Sequence, residues 1–223
     1  MTTPDGRIAH RAGAAVAATL TILGALAATY RLLARRWCLT WGATEEEVRR
    51  PMAGDELLPR PDLLATRAIT IETDADAIWP WLLQFGPGRG GIYSYDRIDR
   101  LLGIDVHSAE TILPRYQDLA VGDTVTINSD STPARVAVLD PGRALVFRTE
   151  DGNWVWSFGL FPCPGGTRLV SRNRIATPHA SALLRLFDIF VMEPGSLVME
   201  RKMLRGIKER AERRGDRRVA VPG

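Results

Sequence analysis

Tyr93, Tyr95 and Asp96 follow the glycine-rich run Pro87-Gly88-Arg89-Gly90-Gly91, and with His107 they are the side chains here best suited to moving a proton. Phenols donate hydrogen bonds, a carboxylate can abstract a proton beside a carbonyl, and an imidazole titrates near neutrality. Arg172 and Arg174, two residues apart, share a face if their segment is a strand, and a cationic pair could steady a carboxylate or enolate. Each group also has a plainer reading: a corner capping a second helix, an exposed loop histidine, and a solvated sheet face. No Ser-His-Asp order or paired-carboxylate spacing is present, so no catalytic residue is assigned. The glycine-rich run lacks the Lys-Ser/Thr of a phosphate loop and the βαβ setting of a dinucleotide site. Two cysteines, Cys38 and Cys163, and three scattered histidines provide no metal-ligand spacing, and no cofactor is expected.

A second group of residues suits an apolar ligand. Trp154, Trp156, Phe158 and Leu160 alternate with period two, so they lie on one face of a strand. Met192, Met199 and Met203 are flexible and polarizable and can either fill a core or line a pocket. The expected ligand-binding set is therefore Tyr93, Tyr95, Trp154, Trp156, Phe158, Met192, Met199 and Met203, with plain core packing as the competing use.

Elements that could position these groups are readable in outline. Ala68–Thr73 alternates as a half-buried strand. Asp74 stands at an N-cap position, and Ala77, Ile78, Trp81, Leu82 and Phe85 recur at helical spacing until Gly86. A second short helix is expected through Arg97, Ile98, Leu101 and Leu102. Strands follow at Thr124–Asn128, Arg135–Leu139, Ala144–Thr149, Trp154–Phe161 and Thr167–Ile175, separated by Asp-Pro-Gly, Asp-Gly-Asn and Pro-Gly-Gly turns. Such short connections make them antiparallel neighbours. A helical region from Ala180 to about Arg214 is expected to break at Pro194-Gly195, and its second half packs Met199, Met203 and Ile207 on one face. Gly206 in mid-helix costs about 1 kcal/mol relative to Ala, which predicts close packing against the sheet or the first helix.

The 223 residues are 45% hydrophobic and 25% charged, a balance that can bury a core. Charge is unevenly placed: residues 1–44 carry 5 basic and 1 acidic group, residues 200–223 carry 9 and 4, and residues 45–199 carry 15 basic against 21 acidic. An acidic domain with basic ends is the wrong distribution for reading nucleic acid. The basic last helix could instead meet anionic lipid.

Ala12–Tyr30 has 19 residues without a charge, about 28 Å as a helix, close to the hydrocarbon thickness of a bilayer. Arg31, Arg35 and Arg36 just beyond it favour an uncleaved anchor over a signal peptide cut near Ala27, and they tilt the positive-inside count toward a cytoplasmic domain. Trp37 and Trp41 stand where aromatics anchor at an interface, and Thr44-Glu45-Glu46-Glu47 is a helix start. Arg49–Asp62, with Pro51, Gly54, Pro59 and Pro61, reads as a linker.

A strand, two short helices with a glycine-rich joint, consecutive antiparallel strands and a long last helix form the order of the helix-grip fold. In that order, in Ile78-Trp79-Pro80-Trp81-Leu82, in Gly90-Gly91-Ile92-Tyr93-Ser94-Tyr95-Asp96 and in Glu193-Pro194-Gly195-Ser196, the chain resembles the SRPBCC or START-like superfamily. That superfamily includes polyketide cyclase-like proteins, and the blocks are similar to those of a membrane-anchored bacterial subgroup described only as SRPBCC proteins. The resemblance implies an α+β fold, a curved antiparallel sheet wrapped around a long C-terminal helix, with an apolar cavity between them. It divides the chain into a tail (1–11), a transmembrane helix (12–33), a juxtamembrane segment and linker (34–64), the domain (65–214) and a C-terminal tail (215–223). Expected partners are a hydrophobic small molecule, lipid or polyketide-like, and the membrane, with no nucleic acid. The rival is a cyclase/aromatase or dehydratase-type enzyme using the same cavity, since fold alone does not decide reaction.

Overall fold

Alternating apolar residues and tight turns build a six-stranded antiparallel sheet in the order β1-β6-β5-β4-β3-β2. The computed structural model describes residues 17–19, 21–95, 108–126 and 133–219, with side chains to 213. Its strands are β1 (Leu63–Ile71), β2 (Thr124–Val125), β3 (Ala134–Asp140), β4 (Ala144–Thr149), β5 (Trp154–Cys163) and β6 (Gly166–Ile175). The first apolar helix is α1 (Ala17–Leu39), which takes a π-helical turn at Tyr30–Ala34. A short α2 (Glu45–Arg49) and α3 (Ala75–Leu83) follow, and the chain ends in α4 (Ala182–Phe187), a π turn (Asp188–Met192) and α5 (Glu193–Val219). The expected helix at 97–102, Asp96, His107 and Asn128 lie outside the described residues.

Register assigns the two faces of the sheet. Leu63, Ala65, Arg67 and Ile69 of β1 oppose Ile175, Asn173, Ser171 and Leu169 of β6, which oppose Trp154, Trp156, Phe158 and Leu160 of β5. These residues face α3 and α5, and most of the core is here: Ile78, Trp81, Leu82 and Phe85 meet Phe147, Phe158, Leu169, Met203, Leu204 and Ile207. The expected break at Pro194 is absent. The helix continues because the π turn comes just before Pro194, which has no N–H to extend the α-helical ladder.

Gly206 is buried, and the surface it meets is the loop carrying Tyr93 and not the sheet or α3. A Cβ there would stand 2.5 Å from the Tyr93 carbonyl oxygen. Gly206→Ala is therefore expected to destabilise by about 1–3 kcal/mol, because overpacking against backbone outweighs the gain of about 1 kcal/mol in helix propensity. Thermal unfolding of the full-length chain in detergent checks this, and a raised midpoint would show that the Tyr93 loop can move aside.

The outer face of the sheet is also covered. Thr44 opens α2 with a capping box, its hydroxyl accepting from the Glu47 N–H while the Glu47 carboxylate accepts from the Thr44 N–H. Arg168 donates to both oxygens of Glu47 at 2.8 Å, and also to the Gly42 carbonyl. Burial works against the Glu47 charge, but Arg168 and the Thr44 N–H outweigh it and hold the carboxyl below its ordinary value. Further along β6, Arg172 donates to the carbonyls of Glu47, Val48 and Arg50, and Arg174 to those of Leu58 and Pro59. Asp55 holds both guanidiniums, at 2.7 and 3.0 Å. Gly54, at φ +92, presses onto Val146 and Ser157, where a side chain would collide. The segment that reads as a linker is thus a strap folded across the sheet, and its prolines shape it.

Candidate functional site

Between the sheet and α5 lies a cavity of about 360 Å³, within the usual range for small-molecule sites. Trp154 and Trp156 form one wall, stacked with ring centroids 5.5 Å apart. Leu63 and Ala65 of β1, Ile175 of β6 and Ile92 of the glycine-rich loop add apolar surface. Met192, Met199 and Met203 close it from the helix side.

One end of this cavity is polar and fully hydrogen-bonded. Arg67, 1% exposed, pairs with Glu200 of α5 and donates to Ser196 Oγ and the Cys38 carbonyl. Glu200 also accepts from Ser171 Oγ and Asn173 Nδ2. The two indole N–H groups donate to the same layer, Trp154 to Asn173 Oδ1 and Trp156 to Ser171 Oγ, each at 2.9 Å. The result is an apolar chamber with a polar floor of opposite charges already neutralised against each other, next to Ser94 and Ser196, which also line it. Such a floor can exchange hydrogen bonds with a hydroxyl, carbonyl or amide. It offers no unpaired charge for a strongly ionic ligand.

Of the eight expected ligand-binding residues, Trp154, Trp156, Met192, Met199 and Met203 are brought together here. Three are placed elsewhere. Tyr93 is 1% exposed but points away from the cavity that its neighbours Ile92 and Ser94 line, and its hydroxyl donates to the Trp81 carbonyl at 3.0 Å. Its backbone adopts φ 55, a left-handed conformation held by Gly206 beneath it and by Arg210 over its ring. Burial pushes its hydroxyl above the ordinary phenol range, with Gln84, Arg210 and Arg89 partly opposing. Tyr95 is 40% exposed, and the loop turns it outward. Phe158 is buried among Phe85 and Phe147 and borders a different cleft, of about 520 Å³, beside Met52, Arg143 and Phe161 at the far end of β5. That cleft lies among turns and strap, outside the grip of sheet and helix.

Arg172 and Arg174 are neither ligand-facing nor solvated. They are buried under the strap on the opposite face of the sheet. Arg210 of α5 is likewise buried, against Glu110 and the Ala109 carbonyl. Sequence reasoning missed Arg67, Ser171, Asn173 and Glu200. The available signal for two of them was period-two alternation, which puts Asn173 and Ser171 on the face across from Arg172.

No protein-family model matches the chain, and no curated protein matches it. Solved structures do. MLL2253 from Mesorhizobium loti is 16% identical over 68% of this chain and 98% of its own, with a TM-score of 0.40. A protein described as Polyketide_cyc-like, from Corynebacterium glutamicum, is 18% identical over 73% and 96%, with a TM-score of 0.34. An AHSA1-like protein from Aeromonas hydrophila is 16% identical over 69% and 94%, with a TM-score of 0.38. At these identities the similarities bear on neither ligand nor reaction. By its own strand order and the long helix gripped across the sheet, the chain has an α+β helix-grip fold.

Proposed function

We propose that this protein is a membrane-tethered helix-grip domain that binds one hydrophobic small molecule, lipid or polyketide-like, with a single uncharged polar end group. The carrying observation is the chamber itself: stacked tryptophans and three methionines around an apolar volume, with Arg67, Glu200 and Asn173 as its charged and amide lining and Ser171 hydrogen-bonded behind them. An apolar body fits the walls, and its polar end exchanges hydrogen bonds with the floor. The tether is α1, 23 residues long and apolar enough to cross a membrane. Turnover gains no support among the described residues, because Tyr93, Arg172 and Arg174 all point away from this chamber and Glu200 is already engaged by three donors.

Ala65, 2% exposed, lines the chamber, so a phenyl ring placed there should take up part of its volume. In full-length protein held in nanodiscs, Ala65→Phe is expected to weaken binding of the apolar fluorophore 1-aminoanthracene about tenfold or more, or about 1.4 kcal/mol, with unfolding little changed. Energy transfer from Trp154 and Trp156 reads the occupancy. Undiminished transfer in the variant, together with no apolar molecule extractable from protein purified from its own host, would remove the reading.

A further inference from the structure

The chain carries a second apolar helical surface. In α4, Leu183, Leu184, Leu186 and Phe187 are between 49% and 77% exposed, and Val191 and Met192 of the π turn are 51% and 54% exposed. Every residue of α4 is exposed, and apolar side chains occupy most of its circumference. A helix apolar all round is stable when buried in protein or in lipid, and α4 is not buried in protein.

Its neighbour indicates what covers it. α1 turns Tyr30, Arg35 and Cys38 toward the π turn and the start of α5. Tyr30 meets Phe190 with ring centroids 5.7 Å apart, and Arg35 donates to both oxygens of Glu193 at 2.8 and 2.7 Å. Tyr30 also donates to the Glu193 carboxylate at 3.4 Å and Cys38 to the Glu193 carbonyl at 3.3 Å, so residues 30–38 of α1 pack against the junction of the π turn and α5. The C-terminal part of α1 thus stands beside the turn that directly follows α4. In this stretch α1 exposes Leu32 and Leu33, 77% and 76%, and Trp37, 55%. Arg31, Arg36 and Arg185 are exposed along the same region, suited to anionic headgroups while their stems lie along apolar surface.

We infer that Ala182–Met192 is a second membrane-inserting element, sunk into the leaflet from which α1 emerges. The inference rests on the membrane tether proposed above and deepens it. Met192 belongs both to this exposed surface and to the chamber wall. The chamber thus adjoins lipid on the side of α4, and a hydrophobic ligand can pass between bilayer and protein without crossing water.

The test uses the full-length chain in vesicles of phosphatidylcholine and phosphatidylglycerol, with Cys163 replaced by Ser and a nitroxide label placed at Leu184→Cys. Parallel samples carry the label at Leu26→Cys in α1 and at Val121→Cys, which is 62% exposed on the domain. Collision with oxygen against a water-soluble nickel chelate reports depth. The expected result is a lipid signature at both 26 and 184, with 184 lying about 5–10 Å into the headgroup–acyl boundary, and an aqueous signature at 121. Lipid at 26 with water at 184 overturns this inference and leaves the tether intact. Water at both overturns the tether as well. Spin–spin broadening at 184 without a lipid signature assigns the surface to a second copy of the chain and also overturns the inference.

Discussion

Glu200→Ala is expected to cost the full-length chain about 3–5 kcal/mol of unfolding free energy, the largest effect of any single substitution in the chamber. The Arg67 guanidinium, 1% exposed, would lose its carboxylate while retaining only the Ser196 hydroxyl and the Cys38 carbonyl. Ser171 and Asn173 would lose an acceptor in the same step. A charge stranded in this way carries its desolvation penalty without compensation. The double variant Arg67→Met, Glu200→Leu removes both charges and should recover most of the loss, since a buried pair exchanged for apolar groups is often neutral or better. Urea unfolding followed by tryptophan fluorescence in mild detergent reads both, because Trp154 and Trp156 donate into this layer. A loss below about 1 kcal/mol for the single variant would mean that the unpaired guanidinium reaches water.

Asp55→Ala should cost about 3 kcal/mol, the low end of the range for breaking a buried pair, because Asp55 itself is 23% exposed. Its two oxygens serve Arg172 and Arg174 separately and accept from the Met52 N–H as well. Burial already lowers the pKa of Arg172, and Asp55 is the charge that opposes it. With Asp55 gone, the strap should peel from the sheet, and limited proteolysis should find new cuts between Arg49 and Leu63. Unchanged cutting with a clear loss of stability would show that the backbone carbonyls alone keep the strap in place.

Much of the inner half of the molecule was legible in the sequence. Trp154 to Leu160 announce a strand face by alternation, the turn residues set the antiparallel order, and Met203 and Ile207 mark the buried side of α5. The outer half was not. Alternation tells which residues share a face, but not whether that face is wet. Arg168, Arg172 and Arg174 therefore look like a solvated row until the strap that covers them is seen. Pro51, Pro59 and Pro61 mark a segment without regular structure, which in sequence looks the same whether it floats free or is bolted down by carbonyl acceptors. Glu200 was hidden for a related reason. It sits in a helix crowded with charges, and only the three-dimensional meeting with Arg67, 133 residues away, separates it from the surface acids.

The strap also fixes a length. Residues 44–64, if extended, could reach about 70 Å. Wound over the sheet and fastened at Glu47, Asp55 and Pro59, they offer none of that reach as slack. Only Thr40, Trp41, Gly42 and Ala43 separate α1 from the strap, and Trp41 is itself covered by the guanidiniums of Arg201 and Arg205. The domain therefore has no leash on which to swing. Wherever α1 is held, the chamber stands at a set height and bearing to it, and what can approach the chamber is decided by geometry before any affinity applies.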